Sequence, residues 1–247
     1  MESALKLFAR RVALQKIKIN VTLLHVGQPI GVVLFIRTRQ SKTMSYPIPE
    51  NEVDRLNTLR GYRILDTHPE DCFDDLTWLA ALICRTPISF ISLVDENRQW
   101  FKSKMGFELC HTPRVDAFCA HAIMSSELFV VPDAALDPRF AANPFVLGDP
   151  HIRFYAGAPL PAPNGHHLGA LCVVDRVPRQ LSSEQLEALR ILSRQVMAQV
   201  ILAKNLHDLR TTLKERDDLE QDMEELIQEL QGSVRRKVDD GSEGRTS

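Results

Sequence analysis

From Ser182 to Gln231 the chain contains neither proline nor glycine. Such a run commits it to one continuous helix, about 75 Å long at 1.5 Å per residue. Ser182-x-x-Gln185 opens the run with a capping-box pattern, in which each side chain satisfies a free backbone N–H of the other residue. Leu202, Leu206, Leu209 and Leu213 follow the alternating four- and three-residue spacing of a coiled-coil seam, and Leu219, Met223, Leu226 and Leu230 repeat it. The six-residue step between the two sets, filled by Lys214 to Asp218, breaks the register. A helix this long with one apolar stripe needs a partner, and a parallel second copy is the simplest. The sequence therefore predicts a homodimer through 185–231, a coiled-coil helix at 203–231 and a disordered tail at 232–247.

The bulk chemistry narrows the function classes. A net charge of −2 lacks the basic excess of a nucleic-acid binder. No run reaches the roughly 18 apolar residues of a membrane span. Five cysteines, an odd number without framework spacing, fit reduced thiols in the cytoplasm. Residues 1–49 stand apart, with Lys6, Arg10, Arg11, Lys16, Lys18, Arg37, Arg39 and Lys42 against Glu2. A signal anchor, an acid-poor targeting peptide and an unstructured leader before a start at Met44 all match that composition. The broken apolar run 21–36 favours the last, a leader outside the fold.

Residues 50–202 read as one domain. Glu52 to Leu65 has loose helical spacing, and Thr67-x-x-Glu70 is a second capping-box pattern. It precedes a helix with Phe73, Leu76, Ala80 and Ile83 on one face and with Cys72 and Cys84 inside it. After Pro87, Ile88 to Val94 is a strand apolar on both faces, so both must be covered. Asp95-Glu96-Asn97 turns the chain into a second strand, Arg98 to Met105, with Trp100 and Phe101 on opposite faces. Phe154 to Leu160 and His167 to Asp175 form another hairpin around Asn164-Gly165. Between the two strand pairs lies Arg114 to Phe145. It holds Cys119-x-His121, an apolar run Leu128 to Val131, and a Pro/Asp-rich loop Asp133 to Pro144, long enough to be functional. Paired strands, one central insert and flanking helices make the fold class α+β.

Several blocks in this order resemble the GAF domain, in the subgroup at the N-terminus of bacterial sensor histidine kinases and diguanylate cyclases. They are Leu65-Asp66-Thr67 with Pro69-Glu70, Ile91 to Asp95, Arg98 to Ser103, Phe118 to Ile123, Val131 to Ala134, Asp137 to Phe140, Arg153 to Leu160 and Leu168 to Asp175. The resemblance runs from Glu52 to about Leu202. It implies an antiparallel sheet with helices on both faces, the first and last packed on one of them. A ligand-sized pocket would lie over the other face, roofed by 114–150. It also implies a sensory role in two-component or cyclic di-GMP signalling, with a kinase or cyclase as partner.

Trp100, Phe118, Cys119, His121, Tyr155, Asp95, Asp116 and Arg114 are the residues expected to contact a small-molecule ligand. The aromatics would stack on it and the polar groups would orient it. The ligand and any cofactor have no name in the sequence. The main reading is a non-catalytic sensory module. One alternative makes Cys119 a thiol nucleophile or redox sensor assisted by His121. Some GAF relatives attach bilins through a cysteine and others reduce free methionine sulfoxide, but the motifs around those sites are absent here. A second alternative is phosphate acceptance at His207, whose context Leu206 to Leu213 resembles a histidine-kinase acceptor box with Thr212 in place of the usual proline. Cys110, His111 and His151 would have to join Cys119 and His121 in any metal site. Their spacing matches no common zinc pattern, so no metal is expected.

Overall fold

The structure is a computed structural model describing residues 46–243, with side-chain surroundings described to Gly232. The readings of residues 1–45 fall outside it. Residues 46–49 pack on the domain: the Tyr46 ring lies 5.1 Å from the Arg114 guanidinium, and Glu52 N–H donates to the Pro49 carbonyl at 3.1 Å.

Two helices open the described chain, α1 (Glu52–Gly61) and α2 (Asp71–Cys84). A hairpin follows, β1 (Ile88–Val94) and β2 (Arg98–Met105), then the short edge strand β3 (His111–Pro113). The insert contains a 3-10 turn (Arg114–Asp116), α3 (Cys119–Ala122), β4 (Phe129–Val131) and α4 (Pro144–Leu147). β5 (Phe154–Pro161) and β6 (His167–Asp175) complete the sheet, and α5 (Ser183–Glu243) leaves the domain. The six strands are antiparallel in the order β3-β2-β1-β6-β5-β4. The insert thus returns β4 to the sheet as its second edge.

Alternation along the strands builds two cores. Ile91, Leu93, Trp100 and Leu171 face Leu59, Phe73, Ala80, Leu189, Val196 and Val200 from α1, α2 and α5. Ile88, Phe90, Val94, Phe101, Tyr155 and Cys172 face Phe118, Cys119, Phe140 and Val146 from the insert. β1 is buried along its whole length, as its two-sided apolar pattern requires. The β1–β2 pairing shifts register between Ile91 and Ser92, and on the β6 side the Ser92 carbonyl lies against Gly169, where a Cβ would collide with it. Pro159 and Pro161 fit β5 because β4 pairs only with Tyr155 to Gly157, leaving the far end of the strand without a neighbour on that side.

Four expectations are corrected. α1 stops at Gly61; Ile64 joins the same core from beyond its end. The Thr67/Glu70 capping box does not form. Glu70 is itself the N-cap and makes no side-chain cap bond. Both residues instead hold the buried Lys102 ammonium, which donates to Thr67 Oγ1 at 2.8 Å, the His68 carbonyl at 2.6 Å and Glu70 Oε1 at 2.6 Å. The buried face of α2 is accordingly Phe73, Thr77, Ala80 and Cys84, with Ile83 exposed. The Ser182/Gln185 box does form: Gln185 N–H donates to Ser182 Oγ at 3.3 Å, and Ser182 N–H to Gln185 Oε1 at 3.0 Å. The helix it starts passes through Gly232 to Glu243, so 232–243 is helical where a disordered tail was expected.

Candidate functional site

The insert face of the sheet encloses the candidate site. Phe90, Phe101, Phe107, Phe118, Phe145 and Ile152 wall a cavity of about 30 Å³. Gln99, Thr112, Asp116, Cys119 and Tyr155 add the polar atoms. That volume holds a water-sized molecule and is smaller than the ligand-sized pocket the resemblance implied. The aromatic side chains themselves fill the space, with Phe101 and Phe107 edge-on at 5.4 Å and Phe107 and Phe145 at 6.1 Å.

Four of the eight expected contact residues line this cavity: Phe118, Cys119, Asp116 and Tyr155. Phe118 does so with its stacking already taken up by Phe140 at 4.1 Å and Tyr155 at 5.1 Å. Burial pushes the Asp116 carboxyl above its ordinary value. The other four lie elsewhere. Trp100 is in the helix-side core, because adjacent strand residues face opposite ways and Phe101 takes the cavity side. Asp95 caps its own turn, accepting from Glu96 N–H at 2.8 Å and Arg98 Nε at 3.2 Å. Arg114 is buried against α1, where its Nη1 meets Glu52 Oε1 in the company of Arg55, 2.7 Å from the same oxygen. Two guanidiniums sharing one carboxylate hold Glu52 down at about 2 despite the opposing effect of burial. Arg114 pairs with Glu52 and not with Asp116. His121 stacks on Phe129 at 5.9 Å and meets Phe140 edge-on at 4.9 Å. Burial, with the Arg139 charge added, lowers its imidazole to about 4.

His121 is not the partner of Cys119. Ser92 Oγ donates to Cys119 Sγ at 3.0 Å, Tyr155 Oη lies 3.1 Å away and Cys172 Sγ 3.3 Å away. Tyr155 Oη is also 3.1 Å from Cys172 Sγ. Gly157 permits this, since a Cβ there would occupy the place of the tyrosine hydroxyl. Sequence reasoning missed Ser92, Gln99, Thr112 and Cys172. The alternation that put Phe101 on one face carried the signal for Gln99, two residues before it. Nothing local in the sequence pairs Cys119 with Cys172. Cys110 and His111 are exposed on the far edge strand, and among the described residues no three metal-ligating side chains converge. His207, on α5, receives a hydrogen bond from Arg63 Nη1 at its Nε2, 2.7 Å away.

Residues 67–200 match the GAF domain family. This chain belongs to that family. It is 42% identical over 167 residues to a cyclic di-GMP phosphodiesterase of Pseudomonas aeruginosa, a match covering 67% of this chain and 27% of the relative. The chain therefore spans about a quarter of that protein's length. The expectation of a non-catalytic protein is corrected by this finding, because the relative is named as an enzyme. Among solved structures, the GAF domain of an Acinetobacter phosphoenolpyruvate-protein phosphotransferase is 18% identical, covering 63% of this chain and 96% of its own, with a TM-score of 0.47. The chromophore-binding domain of a bacteriophytochrome from R. palustris is 13% identical, covering 65% of each chain, with a TM-score of 0.43. Among the described residues no helix is long and apolar enough to cross a membrane.

Proposed function

We propose that this GAF domain is the regulatory part of a cyclic di-GMP signalling system in the cytoplasm. Small-molecule occupancy of the insert-side cavity would be relayed along paired α5 helices to a phosphodiesterase unit. The observation that carries this reading is the continuity of α5. Its first turns supply Leu189, Leu192, Val196, Met197 and Val200 to the core behind the sheet. The same helix then leaves with Leu202, Leu206, Leu209 and Leu213 exposed on one stripe. A shift of the sheet caused on one face reaches that helix through the other, and a dimer converts it into a change of helix register or crossing. The output is assigned by analogy with the Pseudomonas relative. The five free thiols favour a reducing compartment.

The cavity sets a condition on the ligand. A molecule much larger than water needs more room than the cavity of about 30 Å³ offers, so its binding and a movement of the lining side chains are one event. The test is native mass spectrometry of the full chain, with cellular cyclic di-GMP measured on its expression. A dimer with retained small-molecule mass, and a changed cyclic di-GMP level that Leu209→Lys abolishes, is the expected result. A monomer at micromolar concentration that leaves cyclic di-GMP unchanged overturns the reading.

A further inference from the structure

The thiols beneath the cavity are arranged for chemistry that the signalling reading does not use. Cys119, on α3, forms part of the cavity wall; Cys172, on β6, lies behind it and does not. Both are fully buried, and their sulfurs are 3.3 Å apart. A disulfide has an S–S length of about 2.05 Å, so closure needs a relative movement of roughly 1.3 Å. We propose that Cys119 and Cys172 are a peroxide-reactive dithiol, with Cys119 as the attacking sulfur and Cys172 as the resolving one.

Three observations support this assignment. The cavity, about 30 Å³, has room for a molecule of the size of water or hydrogen peroxide. Gln99 also lines it, and its Oε1 is a buried acceptor that finds no hydrogen-bond donor among the described residues. An unpaired buried acceptor is costly, and a peroxide O–H satisfies it. Finally, the two thiols differ. Burial raises the Cys119 thiol, but hydrogen bonds from Cys172, Ser92 and Tyr155 outweigh it and bring it below its ordinary value. Burial and the neighbouring Cys119 hold the Cys172 thiol well above its own. Cys119 is also the sulfur on the cavity side, from which the oxidant arrives, which makes it the attacking one.

The chemistry balances without another reactant. The Cys119 thiolate attacks one peroxide oxygen; the S–O bond forms and the O–O bond breaks. The departing hydroxide takes up the thiol's proton and leaves as water. Cys172 sulfur then attacks the Cys119 sulfenic acid; the S–S bond forms and the S–O bond breaks. The second hydroxide leaves as water with the Cys172 proton. Two thiols are oxidised by two electrons, one hydrogen peroxide is reduced to two waters, and an external dithiol reverses the change. The product ties the insert to the central sheet and leaves neither sulfur able to donate a hydrogen bond to Tyr155.

The test treats the full chain, folded and reduced, with hydrogen peroxide, then counts free thiols and maps disulfides by mass spectrometry. Two of the five thiols should be lost, the mass should fall by two hydrogens, and the Cys119 and Cys172 peptides should be joined. Cys172→Ala should leave a sulfenic acid at Cys119 that a 1,3-diketone traps, and Cys119→Ala should leave Cys172 reduced. Retention of all five thiols overturns the proposal, as does oxidation confined to the exposed Cys110 or a Cys119–Cys172 link that forms only in urea. Sulfenic acid at Cys172 in Cys119→Ala overturns the assigned order. If neither variant folds, the mapping on the unsubstituted chain decides. The thiol readout is independent of dimerisation, so its failure leaves the signalling reading standing, and the reverse holds as well.

Discussion

Three residues of this domain are held against their ordinary chemistry, and each makes a measurable difference. Gly157 leaves room for the Tyr155 hydroxyl, which would share its place with a Cβ. Gly157→Ala should force the ring from its position beside the two thiols and destabilise the domain by about 1–3 kcal/mol, the usual effect of overpacking, read from urea unfolding. Glu52 and His121 titrate in separate windows. Glu52 ionises at about 2 instead of 4.5, so its contribution to stability is complete above pH 4.5 and is lost as the pH falls toward 2. His121, facing Arg139 and Asp137, takes a proton at about 4 instead of 6.5. The unfolded chain therefore binds that proton first, and stability falls as the pH drops from 6.5 toward 4. Unfolding free energy measured against pH should lose its upper decline in His121→Gln and have a shallower lower decline in Glu52→Gln. At pH 7 Glu52→Gln should itself cost about 2 kcal/mol. That is less than for a fully buried pair, since Glu52 keeps part of its surface in water.

At the scale of elements, the N-terminus of α5 is the sharpest test of a local signal. Ser182→Ala removes one of the two reciprocal bonds and should cost about 0.5–1 kcal/mol in urea unfolding, with Ser182→Asp restoring most of it. The same pattern at Thr67 and Glu70 misled, and the reason is tertiary: a buried Lys102 needs three acceptors more than α2 needs a cap. This contrast sets how far the sequence could be read. Strand alternation gave both faces of β1, and the two hairpins follow from their turn residues. β4 was hidden because a three-residue edge strand has too few positions to show a period. The candidate site was half legible. Phe118, Cys119, Asp116 and Tyr155 lie on the cavity, whereas Trp100 lies behind the sheet. Arg114 went unread as a buried residue because its partner Glu52 is 62 positions away. The Cys119–Cys172 approach is likewise long-range, 53 positions apart, and depends on how the insert folds back over β6.

For the whole molecule, the decisive quantity is what covers α5 beyond the domain. Leu202, Leu206, Leu209 and Leu213 are 42% to 56% exposed, and Leu219, Met223, Leu226 and Leu230 are 58% to 66% exposed. An apolar stripe that long on one protomer has no partner within the described chain, and the coiled-coil spacing matches a second copy. The break at Lys214 to Asp218 divides the stripe into two segments that a single regular supercoil cannot keep in phase. Each segment should therefore contribute separately to association. Leu209→Lys and Leu226→Lys should each weaken the dimer at least tenfold in sedimentation equilibrium, and the double variant should be monomeric. Both side chains are more than half exposed in the protomer, so near-UV circular dichroism and domain unfolding should stay within about 0.5 kcal/mol of the parent. A dimer unchanged by the double substitution would place the contact elsewhere, with exposed Trp78 and Leu82 on α2 as the next surface to substitute.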